Sequence, residues 1–137
     1  MKHYNIFVER EEGTKSIAFT EDKQEETHLC TSLRDCNTLN PKEIFLSSIG
    51  GCILRNSSMI VSQKMRTKLL QAYVKVSGEK ISNSPKMTSI SYNLTLITDK
   101  PVNKTLLMSL VQKKSLVLNS LSPSIKVRGH IVNKVPK

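Results

Sequence analysis

The sequence predicts an α+β protein with the element order βββ-α-ββ-α-β, and three observations carry that prediction. Short segments alternate between apolar and polar residues, which is typical of half-buried strands. One long stretch from Pro41 to about residue 70 contains no further proline and presents a broad apolar surface, which is typical of a helix. The length of 137 residues fits one domain over residues 1–137.

The N-terminal third is predicted to form three short strands. Residues 3–8 and 15–20 alternate in polarity and form a hairpin whose turn, residues 9–13, contains Gly13, a residue free to adopt positive φ. Residues 27–33 are predicted as a third strand, and residues 35–40 as a loop.

A long central helix is predicted to begin after this loop. Asn40 is suited to cap the helix, Pro41 to its first position, and Glu43 to the positive end of the helix dipole. We expect this helix to span about residues 41–70 and to be largely buried. Its first half holds small residues that should allow another backbone to approach closely: Ser47, Ser48, Gly50 and Gly51.

The remaining sequence returns to strands. Residues 72–78 and 88–98 alternate in polarity and are separated by a turn at 82–85. Residues from 102 to about 118 are predicted as a second helix, and residues 125–132 as the last strand.

The net charge of +10 is unevenly distributed, since residues 1–43 carry −3 and residues 44–137 carry +13. This asymmetry has two interpretations: a basic surface for nucleic acid, or a lysine-rich solvated surface with an acidic segment that docks on a basic one. The lysines are scattered and aromatic stacking residues are few, which favours the second. We therefore do not expect nucleic acid as a partner.

The cysteines and histidines indicate neither a disulfide framework nor a metal site. Cys30, Cys36 and Cys52 are an odd and sparse set, and the three histidines match no metal-ligand spacing. No apolar run reaches the roughly 18 residues of a membrane span, and the N-terminus lacks a signal-peptide core. We expect a cytoplasmic protein with no membrane association, no metal and no cofactor.

Among the three cysteines, Cys52 is the best candidate for a reactive thiol. At 100° per residue it lies on a partly polar helical stripe, and Arg55, three residues on, would favour a thiolate. The other residues of this stripe are Phe45, Ser48, Ile49, Asn56 and Met59. The alternative is a small, inert core cysteine.

Three segments extend this setting: Asn-Pro-Lys-Glu-Ile-Phe-Leu-Ser-Ser-Ile-Gly-Gly-Cys at 40–52, Ser-Pro-Lys-Met-Thr-Ser-Ile at 84–90, and Lys-Ser-Leu-Val-Leu-Asn-Ser-Leu at 114–121. They resemble, in this order, the reactive-cysteine segment, the entry to the long strand and the second-cysteine segment of the OsmC/Ohr family. Members of this family are thiol-dependent organic hydroperoxide reductases, so the resemblance implies antioxidant chemistry.

The resemblance implies an intertwined homodimer with the long helices at its centre and the active sites at the dimer interface. It also implies a reaction. A peroxidatic cysteine attacks the hydroperoxide and becomes a sulfenic acid, a resolving cysteine converts this acid to a disulfide, and a dithiol reduces the disulfide.

Only some of the family's functional residues are present at the matching positions of this chain. Cys52 falls on the peroxidatic position, whereas Ser115 falls on the resolving position and cannot form a disulfide. The activating glutamate position falls on Lys42, with Glu43 one residue later, and Arg10 is the nearest candidate for the family's arginine. Outside such a role, Glu43 would stabilise the helix N-terminus, and Arg10 would be an exposed turn residue.

Two functions follow from this partial set. The first is a one-cysteine hydroperoxide reductase, in which an external dithiol, or Cys30 or Cys36, replaces the missing resolving cysteine. The second is a binding or redox-sensing protein on the same scaffold, without turnover.

Overall fold

The computed structural model describes residues 1–11, 15–34 and 36–137. These residues form two compact units, Met1–Phe45 and Leu46–Lys137. Their elements follow the predicted order βββ-α-ββ-α-β, with the second helical region in two pieces.

Three antiparallel strands make up the sheet of the first unit: β1 (Phe7–Arg10), β2 (Lys15–Phe19) and β3 (Thr27–Cys30). The predicted first strand, residues 3–8, begins too early, because β2 ends at Phe19 and its last pair is Phe7 with Phe19. The two rings stack with centroids 5.5 Å apart.

The predicted third strand, residues 27–33, is also too long, since it ends at Cys30. Glu9 and Arg10, placed in the hairpin turn from the sequence, belong to β1. The glycine expected at that turn, Gly13, lies outside the described residues.

The predicted start of the central helix is confirmed, because α1 spans Pro41–Met59. The Glu43 N–H donates to Asn40 Oδ1 and the Asn40 N–H donates to Glu43 Oε1, both at 2.9 Å. This reciprocal pair is a capping box, which satisfies two backbone donors at the helix end.

The helix ends earlier than predicted. One π-helical turn, Ile60–Lys64, follows α1, and the Met65 N–H donates to the Ile60 carbonyl. Arg66 then adopts a φ of 48°, in the left-handed region, and β4 begins at Leu69. A helix to residue 70 was wrong, because this single left-handed residue redirects the chain into the sheet.

The second unit is built on a sheet of three strands: β4 (Leu69–Lys80), β5 (Met87–Thr98) and β6 (Lys126–Lys134). The central strand, β5, is antiparallel to β4 and parallel to β6. A parallel neighbour requires a crossover, which here contains α2 (Lys104–Lys114) and α3 (Leu116–Asn119). The predicted single helix over 102–118 is therefore interrupted, at Ser115.

The core of the second unit lies between this sheet and the helices. Ile49 and Ile53 of α1 are fully buried and join one apolar cluster with residues of β5 and β6. Gly50 brings α1 close to β4, since a Cβ at this position would lie 3.2 Å from methyl groups of Val74 and Val76. The close approach at Gly50 is to side chains of the sheet and not to another backbone, and a Cβ at Gly51 would meet nothing within 4 Å. The expected backbone approach is therefore not found at these two glycines.

The helical segment 41–64 is long and apolar enough to cross a membrane by length and composition, with a mean hydropathy of 1.4 over 18 residues. Core helices of globular proteins pass the same test. Ile49, Ile53 and Ile60 on this segment are fully buried in the apolar cluster, but only 33% of the apolar window is buried. One face of the helix therefore packs in the core, and the expectation of a largely buried helix is wrong for this chain.

Tyr92 on β5 is the largest fully buried side chain, and its position depends on Gly129 of β6. A Cβ at Gly129 would overlap the Tyr92 ring, so only glycine fits there. The Tyr92 hydroxyl lies 2.9 Å from Met108 Sδ on α2. Burial raises the pKa of Tyr92.

We predict that Gly129→Ala lowers the free energy of unfolding by about 1–3 kcal/mol, because the added methyl group displaces the Tyr92 ring. Urea titration of the purified protein measures the change. The same substitution in a Tyr92→Leu background should cost much less. An equal cost in both backgrounds would show that the overlap with Tyr92 is not the cause.

We also predict that stability falls as the pH rises through about 10, the ordinary tyrosine pKa. Tyr92 ionises more readily in the unfolded chain than in the fold, so its stabilising contribution is complete below this pH and is lost above it. Urea unfolding of Tyr92→Phe should show a weaker loss between neutral and alkaline pH. Tyr73→Phe, at an exposed tyrosine, is the matched control and should follow the wild-type profile.

Candidate functional site

Cys52 lies on α1 and is partly exposed. Among the described residues, it is the cysteine that forms no disulfide. The residues one position before and three positions after it, Gly51 and Arg55, are exposed, whereas Ile53 is fully buried. The helix thus places Cys52 at the border between its buried and its exposed face.

Ser115 lies between α2 and α3 and is fully buried. Its extended backbone, with φ −75° and ψ 109°, ends one helix and begins the next. Its Oγ accepts a hydrogen bond from the Leu118 N–H at 3.2 Å and so caps α3. Apart from any part in the chemistry, a serine at this position could lie on the helix surface or cap a helix; Ser115 is a cap and is not on the surface.

The fold brings Cys52 and Ser115 into direct contact although 63 residues separate them. Cys52 Sγ lies 3.2 Å from Ser115 Oγ. Asn56, one helical turn after Cys52, donates from Nδ2 to the Cys52 carbonyl at 3.0 Å and faces Cys52 Sγ at 3.4 Å. Two polar side chains, those of Ser115 and Asn56, therefore face the sulfur of Cys52.

Two hydrogen-bond donors can be directed at the sulfur of Cys52. The Ser115 hydroxyl accepts from the Leu118 N–H, so its own hydrogen remains for Cys52 Sγ. The Asn56 amide provides a second donor, from the same helix as the cysteine. Hydrogen bonds donated to a thiolate or sulfenate stabilise the charged form.

The sequence pointed to Cys52 and Ser115 and placed Asn56 on the helical stripe of Cys52, but it assigned no contact between Asn56 and the sulfur. Its spacing of four residues from Cys52 on one helix was the available signal, since such residues lie on the same face. Arg55, expected to favour the thiolate, is exposed, and the shortest polar contacts to Cys52 Sγ come from Asn56 and Ser115.

The surface next to Ser115 along the chain is basic. A hydrogen bond with Lys114 and repulsion from its positive charge lower the pKa of Lys64, which lies in the π-helical turn. The C-terminal end of α2 and this turn thus bring two ammonium groups together.

The other predicted site residues belong to the first unit. Arg10 is exposed at the end of β1, and Glu43 is exposed with its carboxylate engaged in the capping box. Lys42, at the position of the family's glutamate, is exposed in the first turn of α1. The structure therefore brings Cys52 into contact with Ser115 within the second unit. Arg10 and Glu43 belong to the first unit.

Cys30 and Cys36, each considered from the sequence as a substitute resolving thiol, are joined to each other in a disulfide. Their Cα atoms lie 5.8 Å apart, within the usual range for a disulfide. Neither sulfur is a free thiol in this structure.

One group of side chains among the described residues has ligand atoms close enough to hold a metal ion. The ligand atoms of Glu11, Glu26 and His28 lie within 4.8 Å of one another, and all three residues are exposed. Exposed acidic groups of this kind are common without a metal, and this group carries no functional assignment.

The fold is that of OsmC-like proteins. An OsmC-like protein from Mycoplasma pneumoniae is 17% identical, with a TM-score of 0.81 over 97% of this chain and 98% of its own. An organic hydroperoxide resistance protein OsmC from Legionella pneumophila is 12% identical, with a TM-score of 0.67 over 96% and 98%. The organic hydroperoxide resistance protein OhrB of Bacillus subtilis is 12% identical, with a TM-score of 0.61 over 94% and 98%.

A search of curated proteins found no match. The sequence model of the family described as OsmC-like protein matches residues 34–129, which include Cys52 and Ser115. This range is more than half of the chain, and the predicted α+β OsmC-like fold is confirmed. The chain belongs to the OsmC-like protein family.

Proposed function

We propose that this protein is a thiol-dependent hydroperoxide reductase of the one-cysteine type, with Cys52 as the peroxidatic residue. The observation that carries the proposal is the contact of Cys52 Sγ with Ser115 Oγ at 3.2 Å and Asn56 Nδ2 at 3.4 Å. Two donors facing a partly exposed sulfur would stabilise the thiolate that attacks a peroxide.

The reaction proceeds in two stages. The Cys52 thiolate attacks one oxygen of a hydroperoxide, the O–O bond breaks, and the products are a sulfenic acid on Cys52 and, after protonation, an alcohol. One thiol of an external dithiol then attacks the sulfenic sulfur and releases water. Its second thiol attacks the resulting mixed disulfide and restores Cys52, leaving an oxidised cyclic dithiol.

Ser115 would hold the sulfur in place during this cycle without forming a bond to it. Its buried hydroxyl caps α3 and faces Cys52 Sγ, so it can donate to the thiolate and then to the sulfenate. We keep Arg10 and Glu43 as candidates for the arginine and glutamate that orient the thiolate in this family. The capping bonds of Glu43 support its other expected role, stabilising the helix N-terminus.

Membership of the family supports a relation to proteins that act against organic hydroperoxides. Two of the proteins with the same fold are named organic hydroperoxide resistance proteins. Proteins of the family are dimers, and we infer a homodimer here, since the exposed side of α1 carries Gly51 and Met59. We further infer one OsmC-like domain over residues 1–137, because the structural similarity spans 97% of the chain. The cytoplasmic location expected from the sequence is part of this proposal.

A second function is favoured by one specific observation, the serine at the position of the resolving cysteine. Ser115 is fully buried and already bonded, so Cys52 lacks a thiol neighbour at this point. A redox sensor or binding protein would use the same site without turnover.

We predict that the wild-type protein consumes an organic hydroperoxide with a dithiol reductant, and that Cys52→Ser reduces turnover to the uncatalysed background. A serine hydroxyl without a strong base nearby is not a nucleophile at neutral pH. Peroxide loss under steady-state conditions is the measurement.

The double variant Cys30→Ser/Cys36→Ser is the control and should retain turnover, because the external dithiol completes the cycle. An inactive wild-type protein across several hydroperoxides and dithiols would contradict the reductase assignment and favour the sensing or binding function.

We also predict that Ser115→Cys forms a disulfide with Cys52 after treatment with hydroperoxide, because Ser115 Oγ is already 3.2 Å from Cys52 Sγ. Peptide mapping after differential alkylation identifies the linked pair. Cys52→Ser/Ser115→Cys is the matched control, in which the thiol introduced at position 115 should remain open to alkylation. If both thiols of the single variant remain free after oxidation, the contact between the two side chains is not that of the structure.

A further inference from the structure

The disulfide of the first unit closes the loop between β3 and α1. Cys30 is the last residue of β3 and is 2% exposed, and its N–H donates to the Leu39 carbonyl at 2.8 Å. Cys36 lies six residues further on, within this loop. The strand therefore holds one sulfur rigidly, and the loop carries the other.

The two sulfurs differ in access. Cys30 is buried, whereas Cys36 is partly exposed. Both line a cavity of about 590 Å³ that the loop shares with the first turn of α1, including Arg34 and Lys42. A cavity of this size is typical of small-molecule sites. An incoming thiol would reach Cys36 before Cys30.

The same loop also suits the reduced pair. The carbonyl oxygens of Ser32 and Arg34 lie 3.8 Å and 3.5 Å from Cys30 Sγ, and the Arg34 carbonyl lies 3.6 Å from Cys36 Sγ. After reduction, each S–H group would therefore have a carbonyl oxygen nearby as a hydrogen-bond acceptor. Either redox state is therefore compatible with this backbone.

We propose that Cys30 and Cys36 form a second redox site, which exchanges reversibly with a low-molecular-weight thiol that enters at Cys36. A thiolate attacks Cys36 Sγ, the Cys30–Cys36 bond breaks, and the electron pair leaves on Cys30 Sγ, which then takes up a proton. A second thiol attacks the mixed disulfide, so two thiols become one disulfide and the protein gains two thiols. Disulfides of cytoplasmic proteins are usually transient and redox-active, which agrees with this assignment.

The proposal does not require Cys52 to react with peroxide, and its test removes that residue. The Cys52→Ser protein is equilibrated with mixtures of reduced and oxidised glutathione, quenched with an alkylating reagent and analysed by mass spectrometry. We expect the two thiols to appear and disappear together in one reversible transition under native conditions. A pair that is never oxidised, or that is reduced only after unfolding in denaturant, would overturn the proposal.

A pair of variants tests the point of entry. In Cys30→Ser/Cys52→Ser, the remaining Cys36 should form a mixed disulfide with oxidised glutathione. In Cys36→Ser/Cys52→Ser, the buried Cys30 should react on the order of tenfold more slowly, since access controls thiol exchange. Circular dichroism confirms that both variants are folded, and equal rates in folded variants would refute entry at Cys36.

Discussion

The packing of α1 against the sheet of the second unit is the constraint on which the candidate site depends. Ile49 and Ile53 are fully buried in the apolar cluster of the second unit, and Gly50 lies against the valines of β4. Burying each isoleucine contributes roughly 1.5–3 kcal/mol, which fixes the rotation of the helix about its axis. A rotation by one residue, about 100°, would carry Cys52 away from Ser115 and expose an isoleucine.

The second half of the site is set by the interruption of the crossover helix. At Ser115 the backbone leaves helical geometry, and one side chain caps α3 while facing Cys52. Serine suits this position because its hydroxyl accepts from one group and donates to another. Ser115 therefore caps α3 and at the same time lies within hydrogen-bond distance of the Cys52 sulfur.

The chain has a serine beside Cys52 and a cysteine pair in the first unit. Ser115 cannot form a disulfide with Cys52, whereas Cys30 and Cys36 are bonded to each other in the first unit. The backbone is that of the family, and a shared fold does not by itself establish the chemistry of a site.

The sequence by itself determined the fold class, the order of elements and the start of α1 at its capping box. It also singled out Cys52 as the candidate reactive cysteine. These are local signals, carried by polarity periods and by residues a few positions apart. The end of α1 and the break at Ser115 were missed, because Arg66 and Ser115 leave helical geometry within otherwise helix-compatible sequence.

Only the tertiary structure decided which groups surround the sulfur of Cys52 and which cysteines pair. Residues 52 and 115 meet because sheet and helices pack into one core, and no local pattern encodes a distance across 63 residues. The same holds for Tyr92 and Gly129 on neighbouring strands. Such contacts depend on how whole helices and strands pack against one another. That packing is set by all the buried side chains together and not by a local sequence pattern.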